Sequence, residues 1–209
     1  MAHRTQPVSD PTHVFINCPF DPAYQSLFDA LVFAVYACGF KARCAKEERD
    51  SGTVRIEKIL RIIRECRWGI HDLSRVQMSE PYGLPRFNMP LELGFFIGCK
   101  HFGDRNDRLK NYLILDEKDF DYQKSTSDIS GQDIVYHHND PAKAIGHVRD
   151  WLSDKTHLAF IPSGSIIVSR YAQFEQGLPA LCADYQQVRA ELTFLDYTFL
   201  VSLWLSANQ

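Results

Sequence analysis

Short apolar segments alternate with longer amphipathic segments along most of this 209-residue chain. Five segments have the length and composition of buried strands, at residues 13–18, 40–45, 68–72, 111–116 and 133–137. Between them, apolar residues recur at helical spacing over 24–38, 54–66, the segment that carries Glu92, and 141–155. Strands that alternate with helices pack as a parallel sheet with helices on both faces. The sequence therefore predicts a doubly wound α/β fold with about five parallel strands.

The chain divides into three predicted parts. Residues 1–12 are polar, contain two prolines and are expected to form a flexible leader. Residues 13–160 form the predicted α/β domain. Residues 161–209 start with a turn and are predicted to form two or three amphipathic helices, over 166–177, 178–190 and 193–204. The last of these is too rich in large apolar side chains to be left in water, so we expect this extension to pack on the sheet domain or to form an oligomer contact.

Composition excludes several classes of function. The net charge of −3 offers no basic surface for a nucleic acid. No apolar run is long enough for a transmembrane helix, and the N-terminus lacks the apolar stretch of a signal peptide. The six cysteines include no C-x-x-C pair and no histidine at metal-ligand spacing, which predicts a reduced, cytoplasmic protein without a metal site. A basic residue at every third position from Arg55 to Arg67 indicates a solvated helix face.

One acidic residue, Glu92, lies in an apolar run that is typical of the opening of a buried helix. Arg86 and Asn88 precede it, and Gly94 and Gly98 follow at a spacing of one helical turn. A carboxylate in such surroundings is paired, protonated or used in chemistry, because burying an uncompensated charge is costly. The alternative is an ordinary acid in the first turn of a helix, where the helix dipole favours it.

Polar residues follow the predicted strands at the edge where parallel sheets bind ligands. These strand ends are residues 17–19 for the first strand, 43–53 for the second, 72–74 for the third and 116–117 for the fourth. Glu92 follows the third strand at a predicted helix start, so we expect it to face the same edge.

The pattern Arg86-x-Asn-x-x-x-Glu-Leu-Gly-x-x-x-Gly resembles the helix motif of bacterial TIR-like (Toll/interleukin-1 receptor-like) nucleotide-binding proteins. More loosely, it resembles the Glu-x-Gly helix of nucleoside 2-deoxyribosyltransferases, which share a flavodoxin-like layout. The segment Val-Phe-Ile-Asn-Cys-Pro-Phe at 14–20 is similar to the first-strand segment of both groups. The resemblance covers residues 13–140 and implies a flavodoxin-like sheet with a C-terminal helical extension.

The resemblance implies cleavage of an N-glycosidic bond, with Glu92 at the anomeric carbon of the sugar and Asp72 as a second catalytic residue. NAD would be a substrate, and no cofactor or metal is implied. In this interpretation Arg86 orients Glu92 or binds a pyrophosphate, and Asn88 bonds ribose hydroxyls. The full set of implied substrate-binding residues is Asn17, Pro19, Phe20, Arg43, Asp50, Ser51, Gly52, Ser74, Arg86 and Asn88. Surface ion pairs and loop caps are the structural alternatives for these accessory residues.

The leaving group decides what else the site needs. Departure from a ribosyl carbon builds positive charge that a carboxylate can stabilise or trap. Nicotinamide is already cationic on its ring nitrogen and leaves without a general acid, whereas a purine needs a proton donor, for which Asp72 and His71 are candidates. The leading hypothesis is a TIR-like enzyme that hydrolyses or cyclises NAD, as an effector in anti-phage defence that assembles as a homo-oligomer through residues 161–209. The alternatives are a nucleoside 2-deoxyribosyltransferase or N-glycosidase, and a non-catalytic nucleotide-sensing module.

Overall fold

A computed structural model describes residues 9–75, 78–79, 84–124, 126–156 and 160–208. The strands are β1 (Asp10–Asn17), β2 (Lys41–Arg43), β3 (Cys66–Asp72), β4 (Met78–Ser79), β5 (Leu84–Pro85), β6 (Asn111–Asp116) and β7 (Ile134–Tyr136). Five of them form one parallel sheet in the order β2-β1-β3-β6-β7. The short β4 and β5 pair antiparallel in the connection that leads to the Glu92 helix. The predicted flavodoxin-like α/β fold is confirmed.

Helices cover both faces of the sheet. They are α1 (Gln25–Ala37), α2 (Arg55–Glu65), α3 (Asn88–Phe102), α4 (Pro141–Thr156), α5 (Gly164–Asp184) and α6 (Phe194–Ala207). Helices α1 and α4 pack on one face, and α2 and α3 pack on the other. No helix in the described residues is long and apolar enough to cross a membrane.

The central strands are apolar on both sides because both sides are covered. In β1, Val14 and Ile16 join the core formed with α1 and α4, whereas Phe15 joins the core formed with α2 and α3. Gly69 of β3 leaves room for that second core, since a Cβ atom there would lie 2.7 Å from His71 Nε2 and 2.9 Å from the Phe96 ring. This alternation fixes which strand-end side chains face which layer of helices.

The C-terminal helices share the core of the sheet domain. The Phe33 ring of α1 lies 5.3 Å from the rings of both Tyr171 and Phe174 in α5, and 6.0 Å from Trp204 in α6. Near the start of α6, Arg189 donates to the buried Asp29 of α1 at 2.5 Å. Residues 161–208 therefore pack on α1, as one of the two sequence-based expectations had it.

Some boundaries differ from the sequence prediction. Strand β1 begins at Asp10, so residues 10–12 of the predicted leader belong to the sheet, and Pro11 accepts a hydrogen bond from the Trp68 indole at 2.7 Å. Residues 1–8 lie outside the described residues. Of the two or three helices expected in the extension, the structure forms two long ones, and the division after residue 177 is wrong because α5 continues through Pro179. Phe174, Leu178 and Cys182 lie one turn apart and are all buried, so a continuous helix keeps them on one core.

Candidate functional site

The register of the sheet defines one polar edge. Asn17 at the end of β1 pairs with His71 of β3, and Asp72 pairs with Leu115 of β6. The edge strand β2 ends earlier, because Arg43 pairs with Phe15, two residues before Asn17. The carboxyl ends of β1, β3 and β6 therefore form the floor of the candidate site.

Glu92 lies one turn into α3 and is only 9% exposed. Among the described residues its carboxylate accepts no hydrogen bond and forms no ion pair. Burial raises the pKa of Glu92 to about 7, and the charge of Arg55 at the start of α2 opposes this only in part. A buried carboxyl group without a partner is a frequent property of functional acids. The sequence suggested that Glu92 is paired, protonated or used in chemistry. The described residues do not support a pairing partner.

Asn17 ties the end of β1 to the beginning of α3. Its side-chain amide donates to the Met89 carbonyl at 2.8 Å and lies 3.1 Å from His71 Nδ1. Asn17 is 3% exposed, so a small molecule above the sheet would not reach its amide easily. The predicted substrate-binding residue thus has a positioning role that the sequence did not indicate, since it holds the helical turn that carries Glu92.

Asp72 is completely buried in a hydrogen-bond network on the α1 side of the sheet. The Tyr24 hydroxyl donates to its Oδ2 atom, the Ser74 amide donates to Oδ1 at 2.8 Å, and His137 Nε2 lies 3.0 Å from Oδ2. Burial by itself raises the pKa of Asp72, but the hydrogen bonds from His137, Ser74 and Tyr24 outweigh it and hold the pKa below its ordinary value. Asp72 is therefore ionised at neutral pH.

The hydrogen bonds of His137 define its tautomer. The Asn139 amide donates to Nδ1 at 3.0 Å, so Nδ1 carries no proton. Nε2 donates to Asp72, with the Ser74 hydroxyl 3.1 Å away. This arrangement locks the end of β3 to the loop after β7 and to the turn before α1.

His71 points to the opposite face of the sheet from Asp72. Its ring packs edge-on against Phe96 of α3 at 5.1 Å and against Phe15 at 5.9 Å. Burial lowers the pKa of His71 to about 3, and among the described residues its Nε2 atom has no hydrogen-bond partner. At neutral pH His71 is therefore an uncharged core side chain.

Arg86 and Asn88 lie at the entrance to α3 and are exposed. Arg86 donates to Asp21 at 3.1 Å, which joins the loop after β1 to the segment before α3. Within the described ranges it forms no contact with Glu92, so the orienting role proposed for it has no support here. Asn88 is the first residue of α3. Both side chains remain accessible to a ligand at this edge.

The other predicted residues after β1 and β3 pack close to the floor of the site. Pro19 and Ser74 are buried, and Phe20 is half-buried with its ring edge-on to Phe28 at 5.4 Å. Lys46 Nζ lies 4.7 Å from the centre of the Phe20 ring.

The predicted residues after β2 have structural partners. Arg43 donates to both Glu47 oxygens, at 2.7 and 2.6 Å, and to Glu65 at 3.0 Å. The Asp50 carboxylate accepts from the Gly52 amide at 2.9 Å and so closes an exposed turn that includes Ser51. None of these side-chain bonds, within the described ranges, reaches Glu92 or Asp72. The structural alternatives, an ion pair and a loop cap, account for their contacts.

Sequence reasoning missed several residues of the site. Cys18, in contrast, was already placed at the end of the first strand; it is buried and lies within electrostatic range of both Asp72 and Glu92. Tyr24 and His137 complete the Asp72 network. Arg55 was interpreted only as part of a solvated helix face. Its place directly after the loop that follows β2 is a sequence signal for the same edge.

Comparison of the sequence with models of known protein families finds no match, and comparison with curated protein sequences finds no significant match either. Within the described residues, no group of three or more His, Cys, Asp and Glu side chains could hold a metal ion.

Proposed function

We propose that this protein is a TIR-like enzyme that cleaves the N-glycosidic bond of a nucleotide, most readily NAD, with Glu92 at the anomeric carbon. The observation that carries the proposal is the Glu92 carboxyl group, which is buried, unpaired among the described residues, and raised in pKa to about 7. A carboxylate that has lost its hydration without gaining a partner is stabilised by positive charge brought next to it. An oxocarbenium ion supplies such a charge in the transition state.

The proposed reaction is a hydrolysis. The bond from C1′ of the ribose to the nicotinamide nitrogen breaks, and its electron pair leaves with the ring, which becomes neutral. The positive charge that develops on C1′ and the ring oxygen is stabilised by ionised Glu92. Water then adds to C1′ and gives a proton to Glu92, whose pKa near the operating pH suits this role. An intramolecular nucleophile in place of water gives cyclisation.

The nicotinamide leaving group of NAD needs no proton donor, and neither of the two predicted donors is able to supply a proton at neutral pH. A neutral base needs a proton as it departs, and the sequence offered Asp72 and His71 as donors. The lowered pKa of Asp72 keeps it ionised at neutral pH, and the pKa of His71, about 3, keeps that ring uncharged. Both observations favour a substrate whose leaving group needs no general acid. A deoxyribosyltransferase or N-glycosidase acting on neutral nucleosides is therefore the second candidate.

A mass-spectrometric assay of NAD, and of deoxynucleosides with free bases, tests the proposal. We expect the wild type to release nicotinamide and Glu92→Gln to lose this activity by at least about 100-fold. Glu57→Gln, which removes an exposed acid from the first turn of α2, is the matched control and is expected to retain activity. Equal consumption of NAD by wild type and Glu92→Gln would refute the role of Glu92. Base exchange between deoxynucleosides would establish the second candidate, and tight nucleotide binding without turnover would indicate a sensing module.

The assay requires several protein concentrations, because we also propose that the enzyme works as a homo-oligomer. Apolar side chains around α6 remain exposed in the single chain, among them Leu195 (60%) and Phe199 (53%). Activity per protein that rises with concentration, together with a larger mass in light scattering, is the expected result. Constant specific activity of a monomer would contradict the assembly part of the proposal only.

A further inference from the structure

A cavity lies between α1, the loop after β2 and the start of α6, away from the α3 helix. Its volume is about 390 Å³, within the range of small-molecule sites. Three cationic side chains and three aromatic rings contribute to its walls: Lys46, Arg49, Arg189, Phe28, Phe194 and Tyr197. We call it the Lys46 cavity. We propose that it binds a phosphate-bearing ligand of the nucleoside monophosphate class.

The charge balance of the Lys46 cavity is positive. Arg189 is neutralised by Asp29 at 2.5 Å, and Asp29 is the carboxylate that lines the cavity. Lys46 and Arg49 have no side-chain hydrogen bond or ion pair anywhere in the part of the chain that the structure describes. Lys46 lies within electrostatic range of Asp29, and Arg49 within that of Asp196, but neither cation is held in an ion pair, so both can contact a doubly charged phosphate group.

Lys46 is held at the cavity rather than free in solvent. Its Nζ atom lies 4.7 Å from the centre of the Phe20 ring and 4.8 Å from that of Phe28. Ring faces attract an ammonium group without neutralising it, so the charge stays available to an anion. The side chain is therefore partly ordered before a ligand arrives.

The first turn of α6 forms one end of the cavity. Thr193 and Phe194 line the cavity, and they begin a 14-residue helix. Asp196 is the one acid of that turn, and its carboxylate accepts hydrogen bonds from the Thr193 amide and hydroxyl in a capping box. Amide groups at the start of a helix favour anions. At this helix end Asp196 already supplies that anion, so the charge argument for the ligand rests on Lys46 and Arg49.

The aromatic walls favour a ligand with a planar part. The Phe28 and Phe194 rings lie 6.0 Å apart and both line the cavity. A nucleobase placed against the exposed edges of these rings gains apolar burial while its phosphate faces Lys46 and Arg49. Inorganic phosphate satisfies only the charged half of the cavity, so we expect it to bind more weakly than a nucleotide.

Calorimetric titration of the full chain with AMP, inorganic phosphate and adenosine tests this inference. We expect AMP to bind best, phosphate to bind weakly and adenosine to bind at least tenfold more weakly than AMP, because the phosphate supplies the charge contacts. The double variant Lys46→Gln, Arg49→Gln is expected to lose at least about tenfold in AMP affinity. Arg105→Gln removes an exposed arginine elsewhere and is the matched control.

The inference does not rest on the proposed function, and two readouts keep them apart. Glu92→Gln is expected to bind AMP at the Lys46 cavity as the wild type does, even where it abolishes turnover. Bound AMP is expected to slow hydrogen exchange at the start of α6. Protection confined to the Glu92 region, adenosine binding equal to that of AMP, or unchanged affinity in the double variant would each overturn the inference. If the double variant does not fold, the salt dependence of AMP binding to the wild type is measured instead. An AMP affinity that does not fall between about 0.05 and 0.5 M ionic strength would refute charge recognition.

Discussion

Glu92 is expected to lower the stability of the protein that carries it, by an amount that depends on pH. The pKa of Glu92 in the folded chain is about 7, against an ordinary value of 4.5. At about 1.4 kcal/mol per pH unit, this difference corresponds to about 3 kcal/mol. The folded state binds this proton more tightly than the unfolded chain does. Below pH 4.5 Glu92 is protonated in both states and does not reduce the free energy of unfolding. As the pH rises from 4.5 through about 7, the free energy of unfolding falls.

Replacing Glu92 by Gln removes this titration. The free energy of unfolding of Glu92→Gln minus that of the wild type is therefore expected to rise by about 3 kcal/mol between pH 4.5 and pH 8. A buried amide brings its own constant cost, so the change of this difference with pH is the quantity to compare, rather than its value at one pH.

Urea unfolding of both proteins at intervals between pH 5 and pH 8 measures the effect. Glu57→Gln is the control, because this exposed acid is expected to change stability by no more than about 0.5 kcal/mol. A difference between Glu92→Gln and wild type that stays constant within about 0.5 kcal/mol over this range would show that Glu92 is not a buried, uncompensated carboxyl group. The central argument for the site would then fail. A stabilised but inactive variant would instead be the expected trade-off of an active-site acid.

Three further predictions concern buried charges, each measured by denaturant unfolding. Lys110→Met is expected to cost about 2–4 kcal/mol, because the fully buried ammonium donates to three backbone carbonyls where α2 ends, and a loss under about 1 kcal/mol would contradict this. Asp72→Asn is expected to reduce the free energy of unfolding above pH 3.8. This reduction becomes smaller as the pH falls through the lowered pKa of the wild-type carboxyl group. An equal reduction at pH 2 and pH 7 would refute the ionised network. Arg189→Gln leaves Asp29 buried without its cation and is expected to cost about 3 kcal/mol in one cooperative transition, whereas separate unfolding of residues 161–208 would show that the extension is independent.

Local pattern predicted much of the architecture. The apolar segment 111–116 coincides with β6, and the helix that starts at Pro141 ends within one residue of its predicted end. The spacing of apolar residues along the chain distinguishes a short buried strand from an amphipathic helix. This spacing can be read from a single sequence. The same local information placed Glu92 in a mainly apolar helix and at the carboxyl edge of the sheet.

The partners of each polar group depended on the tertiary structure. His71 and Asp72 are adjacent in sequence, yet strand alternation turns one toward α3 and the other toward Tyr24 and His137. Arg43 lies at the end of a strand as a pocket residue would, but β2 ends early, and Glu47 and Glu65 accept hydrogen bonds from its guanidinium group. Sequence alone therefore determined the five strands of the parallel sheet, the helices between them and the edge that collects polar residues, but neither the β4–β5 pair nor the length of α5. Only the packing of distant segments decided that Asp72 is satisfied and that Glu92 is not, because burial and hydrogen-bond partners come from residues far apart in the chain.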